Sequence, residues 1–383
     1  MTAARLRAAL ECDLDAMLER TAALVAIDSG SHDAEGVDRV SALMAEPLAG
    51  LGFAVERLPL EGRGDRVSAT LALGEGPMVL VLGHADTVWP AGTAAGWPFE
   101  RRGETASGPG VGDMKGCVIM AAHAIGAALD AGLDGIGSIE VLLVPDEELG
   151  SVGSRGWIEE RAAGAAACLG LEAGWPGDGV VVERGAVGAV RVVARGRSAH
   201  SSEDGGASAV SVLAPLVTEL EALGDGRSSV SVGVFRGGVA RQVVPDGAEL
   251  LVDLRAPGEE AAEALVARLR SLVREHDAPG VELTVEGGVT RPALPRERSE
   301  GLWRLAQDCA AELGLRLTGH ATQGGADSSF AAALGVPAID GLGPICHDSC
   351  ARTERIEVRS LVDRGALMAA LLVELAAGWR GER

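Results

Sequence analysis

The chain has 383 residues, 47% of them hydrophobic, with a formal net charge of -21 and a sequence pI near 4.8. That length exceeds what one hydrophobic core usually organises, so two domains are expected. The acidic balance argues against a general affinity for nucleic acid or anionic membranes, which select basic surfaces, and leaves small molecules or a second copy of the chain as the expected partners.

The N-terminal stretch MTAARLRAALECDLDAMLERTAALVAI spaces its apolar residues like an amphipathic helix and carries acids where a secretory core would be uninterrupted. No apolar run is read as approaching the roughly 20 residues that span a bilayer, so a cytosolic location is expected. Up to about Glu183, helices alternate with short, continuously apolar strands, PMVLVLGH, SIEVLLVPDEE and ACLGLEAG, each ending in a polar cluster. This pattern predicts an α/β fold with a mostly parallel sheet covered by helices, whose strand ends carry the chemistry. DMKGCVIMAAHAIGAALDAG reads as a helix closed by Gly132. From about Val187 to Glu286 the order changes to strand, helix, strand, strand, helix, strand, a ferredoxin-like βαββαβ sandwich. The prolines of RPALPRERSE mark a linker, after which the α/β rhythm resumes with a helix near Gly301 to Leu313, the strand VPAID and a final helix. The expected domains are therefore 1–185 with 291–383, and an inserted 186–290. The six cysteines are scattered without a CxxC pair, which suggests buried thiols and not a disulfide framework or zinc ribbon.

His84 and Asp86 stand two apart at the end of a buried strand. A metal-binding imidazole usually gives its second ring N–H to a carboxylate, so His84 reads as a ligand and Asp86 as its partner; a solvated strand end is the commoner origin of such a pair. Asp113 lies in the glycine-rich GPGVGDMKG just before a helix, where it could bind a metal or simply cap the helix. Glu147 and Glu148 follow the strand IEVLLV. Two adjacent acids there repel unless one binds a cation and the other transfers protons, although acids also favour a helix's first turn. Glu172 ends the strand ACLGL, where burial without a partner is costly, and His347 follows a later strand and a Gly/Pro turn. Together these side chains are expected at the ends of successive strands of one sheet, where open α/β sheets place their sites. Three carboxylates against two Zn²⁺ ions leave one positive charge, which a bridging hydroxide would neutralise; Co²⁺ or Mn²⁺ could substitute.

GHADTV, GPGVGDMKGC, PDEELGS, GLEAG, GRSAHS, QGGADSSF and the late His347 resemble, in order and over nearly the whole chain, the motifs of the dinuclear-zinc exopeptidase family. That family includes glutamate carboxypeptidase, acetylornithine deacetylase, succinyl-diaminopimelate desuccinylase and aminoacylase; GSRGWI is most similar to the carboxypeptidase G type. The resemblance implies that His84 and Glu172 hold one zinc, Glu148 and His347 the other, and that Asp113 bridges them. It implies a metal-bridging hydroxide as nucleophile, Glu147 as general base, and cleavage of an amide bond beside an amino acid with a free carboxylate. The inserted domain would join a homodimer and bring His200 to the partner's site to stabilise the oxyanion. Arg255 would grip the substrate's α-carboxylate, Arg291 would lie near the same pocket, and Gly324 and Gly325 would form a backbone wall. Gln242 stands where the family usually has Asn, and Val180 and Val182 stand where glutamate-specific members carry polar contacts. Cys346 and Cys350 flank His347 in a segment longer than the family's usual form. Two ordinary thiols are the reading there, with a thiolate ligand as the alternative. The rival functions are an N-acyl-amino-acid deacylase or desuccinylase, and a metal-dependent binding protein that has lost catalysis.

Overall fold

The computed structural model describes residues 3–378, which form two compact units. The first comprises the described residues up to Glu183, Leu294–Ala321, and those from Ala326 onward; the second comprises Arg184–Ala293 and Thr322–Gly325.

The first unit is built on a six-stranded sheet in the order Ala54–Leu58, Arg66–Ala72, Ser138–Val144, Met78–His84, Ala165–Gly170, Ala338–Ile339. The four strands from Ser138–Val144 to Ala338–Ile339 are parallel. Arg66–Ala72 and Ala54–Leu58 add on antiparallel, so the sheet is mixed. Its central strand alternates between two cores: Val79 and Val81 pack into one cluster, Leu80 and Leu82 into the other. That two-sided burial is why the strand reads as an unbroken apolar run. The larger cluster joins the sheet to the helices Ala3–Val25, Gly116–Ala131 and Val358–Ala376, which pack on one another. The smaller one packs Arg155–Ala162 and Ser328–Ala333 through Trp157, Ile158 and Phe330.

Val111–Ala131 is long and apolar enough to cross a membrane by length and composition, contrary to the sequence reading, and 72% of its most apolar window is buried inside the protein. Gly116–Ala131 has apolar residues on nearly every face because it packs on the helices Ala3–Val25, Ala34–Gly50 and Val358–Ala376 and shares the larger core with the sheet.

The second unit is a four-stranded antiparallel sheet in the order Ser229–Gly237, Gly247–Ala256, Ala186–Arg195, Glu282–Arg291. The helices Ala209–Glu221 and Glu259–Glu275 bury their apolar sides against it through Leu213, Leu216, Leu220, Leu265 and Leu269. Thr322–Gly325 belongs to this unit, although the sequence reading left it in the first. Hydrogen bonding explains the difference: Gly185 N–H donates to the Thr322 carbonyl at 2.8 Å, and the Arg184 side chain donates through Nη1 to the Gly324 carbonyl at 3.0 Å.

Candidate metal centre

Three parallel strands of the first unit end at the site. His84 is the last residue of Met78–His84; Glu147 opens the short 3-10 turn after Ser138–Val144, and Glu172 follows Ala165–Gly170. His84 is 1% exposed. Its Nδ1 lies 2.9 Å from the backbone carbonyl of Asp86 and 3.4 Å from that residue's carboxylate, so the backbone is the nearer acceptor. With Nδ1 donating there, Nε2 faces Asp113 Oδ1 at 3.1 Å and Glu172 Oε1 at 4.0 Å.

The buried Asp86 carboxylate has a wider task than expected. It accepts from Ser31 Oγ at 2.6 Å and from the backbone N–H groups of Glu147 and Glu148 at 3.1 and 3.2 Å, which fixes the acidic pair. Glu147, 7% exposed, shares with His84, Glu172 and Asp340 the lining of a cavity of about 10 Å³, room for about one water or ion.

Asp113 sits in an irregular turn ahead of the helix Gly116–Ala131. The turn is pinned by Glu354, whose Oε1 accepts from the N–H groups of Gly112 and Asp113 at 2.9 and 3.2 Å. Gly112 is required here, because a Cβ would collide with Cys346 Sγ. While Asp113 Oδ1 faces His84, its Oδ2 accepts from Ser349 Oγ at 2.9 Å and Cys350 Sγ at 3.2 Å. Two groups of candidate ligand atoms result, each with its atoms within 4.8 Å of one another: His84, Asp113 and Glu172, and Asp113, Glu148 and Cys350. Asp113 belongs to both.

His347 is in neither group. The sequence reading placed it at a strand end of the main sheet, but Cys346–His347 belongs to a separate small antiparallel sheet with Arg355–Glu357, Thr105–Ser107 and Glu100–Arg102. Its Nε2 pairs with Glu357 Oε1 at 2.8 Å.

Electrostatics mark the cluster as suited to cations. Burial, then the charge of Asp113, pushes the Glu148 carboxyl up to about 9, and the same two causes raise Glu172 well above the carboxylate range. Burial would raise Asp113 too, but the His84 imidazole, together with hydrogen bonds from Cys350 and Ser349, outweighs it and holds that carboxyl at about 2. Glu148 Oε1 is shut from solvent without a hydrogen-bond partner, the condition of a carboxylate oxygen made for a ligand outside the chain. Three carboxylates, one of them with an orphaned oxygen, and an imidazole fit a pair of divalent cations.

The remaining expected residues belong to the second unit. His200 is exposed, with Nδ1 2.7 Å from Ser202 Oγ, and the Gln242 carbonyl accepts from Ser201 N–H at 3.0 Å. Arg255 holds the carboxylate of Asp253 through Nε and Nη2 at 2.8 and 3.0 Å, and its Nη1 donates to the Gln323 carbonyl at 3.3 Å. Arg291 is 8% exposed after a bulge in its strand, and Gly325 leaves space beside it that a Cβ would narrow to 2.9 Å from Arg291 Cδ. Val180 and Val182 are fully buried in the larger core, so they do not line a substrate pocket.

Sequence reasoning missed Glu354 and Asp340. Asp340 Oδ1 accepts from Gly341 N–H at 2.7 Å and Glu172 N–H at 3.3 Å, while Oδ2 accepts from Ser328 Oγ at 2.5 Å, so it anchors the Glu172 strand end. Its signal was present: an acid ending the apolar VPAID is the same pattern that singled out Glu172.

This fold and cluster define a metal-dependent amide hydrolase of the α/β class. The profile of peptidase family M20/M25/M40 matches residues 80–374, and the chain belongs to that family. It is 28% identical over 375 residues to carboxypeptidase G2 of Pseudomonas sp. (strain RS-16), covering 95% of this chain and 90% of that protein. It is likewise 28% identical over 389 residues to succinyl-diaminopimelate desuccinylase of Xanthomonas campestris pv. campestris (strain B100), covering 96% and 98%. The crystal structure of aminopeptidase PepT from Bacillus cereus ATCC 10987 shares the fold with a TM-score of 0.75 at 24% identity, over 95% of this chain and 99% of that one.

Proposed function

We propose that the chain is a carboxypeptidase-like hydrolase that cleaves an amide bond whose nitrogen belongs to an amino acid with a free carboxylate. The observation that carries this is the sharing of Asp113 between two ligand groups, with the buried Glu147 on the cavity beside them. His84, Asp113 and Glu172 would hold one divalent ion; Asp113 and Glu148 would contribute to the other. Bound there, the ions would polarise the scissile carbonyl and acidify water. Glu147 then takes a proton from the attacking water and returns it to the leaving nitrogen, while Asp86 keeps its backbone in place. Zinc is the metal this donor set suits.

The family likeness further suggests a homodimer joined through the second unit, with His200 and Gln242 serving the oxyanion, Arg255 the α-carboxylate, and Gly324 and Gly325 a backbone wall. Arg291 is then available for a second acidic group, since a guanidinium fork pairs bidentately with carboxylate. The apolar objection to acidic substrates falls with Val180 and Val182 in the core.

Glu147→Gln should lower kcat by roughly 10²–10⁴-fold while both metals stay bound, because a base is lost and no ligand is. Loss of metal in that variant would refute the division of labour between Glu147 and Glu148. With one acyl group on glutamate, leucine and phenylalanine, kcat/KM should be highest for glutamate. A preference for leucine or phenylalanine would remove the acidic-substrate assignment and leave the hydrolase, and a monomer in solution would remove the dimer.

A further inference from the structure

We infer that a cleft beginning at Glu148 is the subsite for the acyl half of the substrate, and that it takes an uncharged aryl or other bulky apolar acyl group and rejects a dicarboxylic one such as succinyl. The inference rests on the hydrolase reading given above and names the half of the substrate which that reading leaves open. The cleft lies wholly in the first unit and has a volume of about 490 Å³, within the range of small-molecule sites. Its apolar wall is made by Val88, Trp89, Pro90 and Leu149, of which Val88 and Leu149 are 46% and 38% exposed. Glu148 lines the same cleft, and its carboxylate lies within 4.8 Å of a ligand atom of Asp113. A group seated there therefore adjoins the place of the scissile carbonyl.

Charge decides which half of the substrate this is. Among the described residues that line the cleft there is no lysine or arginine. With the charge of Glu148 taken up by its cation, Asp33 remains, its carboxylate capping the helix Ala34–Gly50 through Gly36 N–H at 3.0 Å. A substrate carboxylate would meet like charge there and find no guanidinium. The half that bears the α-carboxylate, given to Arg255, is excluded on that ground, and so is a succinyl group.

The wall is preformed. Thr87 N–H donates to the Ser29 carbonyl at 2.8 Å, and a Cβ on Gly30 would meet the Trp89 carbonyl oxygen at 2.5 Å, so only glycine lets the two segments lie this close. Asp28 holds the far end of the loop, accepting from Gly92 and Ala94 N–H at 2.7 and 2.8 Å. The Trp89 ring meets Trp97 edge-to-face with centroids 5.2 Å apart, and the Arg352 guanidinium carbon lies 5.1 Å from the Trp89 ring centre. An aromatic wall braced in this way loses little freedom when a flat ring packs on it.

The test compares kcat/KM of the zinc-loaded full chain for benzoyl, acetyl and succinyl groups on one amino acid, the one turned over fastest. Benzoyl should exceed acetyl by about tenfold or more, and succinyl should be the poorest. Trp89→Ala should cut the benzoyl-to-acetyl ratio by roughly tenfold. Trp89→Phe should keep most of it, which also shows that the loop still folds, and Val88→Arg should raise succinyl relative to benzoyl. Calorimetry on zinc-loaded Glu147→Gln should give the same order in Kd, a readout independent of turnover. Succinyl or acetyl preferred over benzoyl, or a benzoyl-to-acetyl ratio unchanged in Trp89→Ala, overturns the subsite and leaves the hydrolase intact. A zinc-loaded protein that hydrolyses none of the three overturns this inference together with the hydrolase reading.

Discussion

On one side of Asp113 the candidate ligand atoms hang from the ends of hydrogen-bonded parallel strands; on the other they hang from a 3-10 turn and a loop. His84 and Glu172 inherit their positions from Met78–His84 and Ala165–Gly170, whose register fixes where each strand stops. Glu148 and Cys350 depend on the Asp86 carboxylate, the Arg355–Asp348 pair and two left-handed residues. The first side is therefore preorganised by the fold, and the second by a few side-chain contacts that substitution could change without disturbing the sheet.

The largest effect should come from the residue common to both. Asp113→Ala should take the bound metal from two ions to none and turnover to background, measured by elemental analysis and substrate hydrolysis. A variant that kept one ion would show the sides to be independent, with Asp113 belonging to only one of them.

A smaller effect separates the metal-free protein from the loaded one. Glu148 has its carboxyl raised from 4.5 to about 9 by burial and by Asp113. A folded-state value above the unfolded one means that the folded chain holds the proton more tightly, so this stability is present below about 4.5 and is lost as pH rises through about 9. Glu172, also raised, acts in the same direction. The Tm of the metal-free protein should therefore fall as pH rises from about 5 to 9, and zinc should remove most of that slope, because a cation reverses the cost of ionised carboxylates. A metal-free Tm that rises over this interval would show that the two carboxyls are ionised without any cation. Glu148→Gln, which cannot titrate, should flatten the slope without metal and shows how much of it comes from the loop side.

The same division explains what could be read from the sequence. Apolar runs ending in His84, the Glu147–Glu148 pair and Glu172 are visible because a strand buried on both faces must be continuously apolar and a polar terminus stands out against it. The βαββαβ order of the second unit was visible through its change of period. His347 and Cys350 were not separable in this way. Both lie in CHDSCARTERIEV, and which of them turns toward Asp113 depends on backbone angles at Asp348 and Cys350 that no periodicity encodes. Val180 and Val182 were set in the substrate pocket by resemblance to glutamate-specific members, whereas they pack into the large core. Glu354 was passed over because its work is done through backbone N–H groups more than 240 positions away in the chain.

The most direct test of a two-metal centre divided by Asp113 is anomalous diffraction at the zinc edge from crystals of the zinc-loaded protein. Two peaks are predicted, one bounded by His84, Asp113 and Glu172, the other beside Asp113 and Glu148. A single peak, or a second one away from both Asp113 and Glu148, would contradict the account.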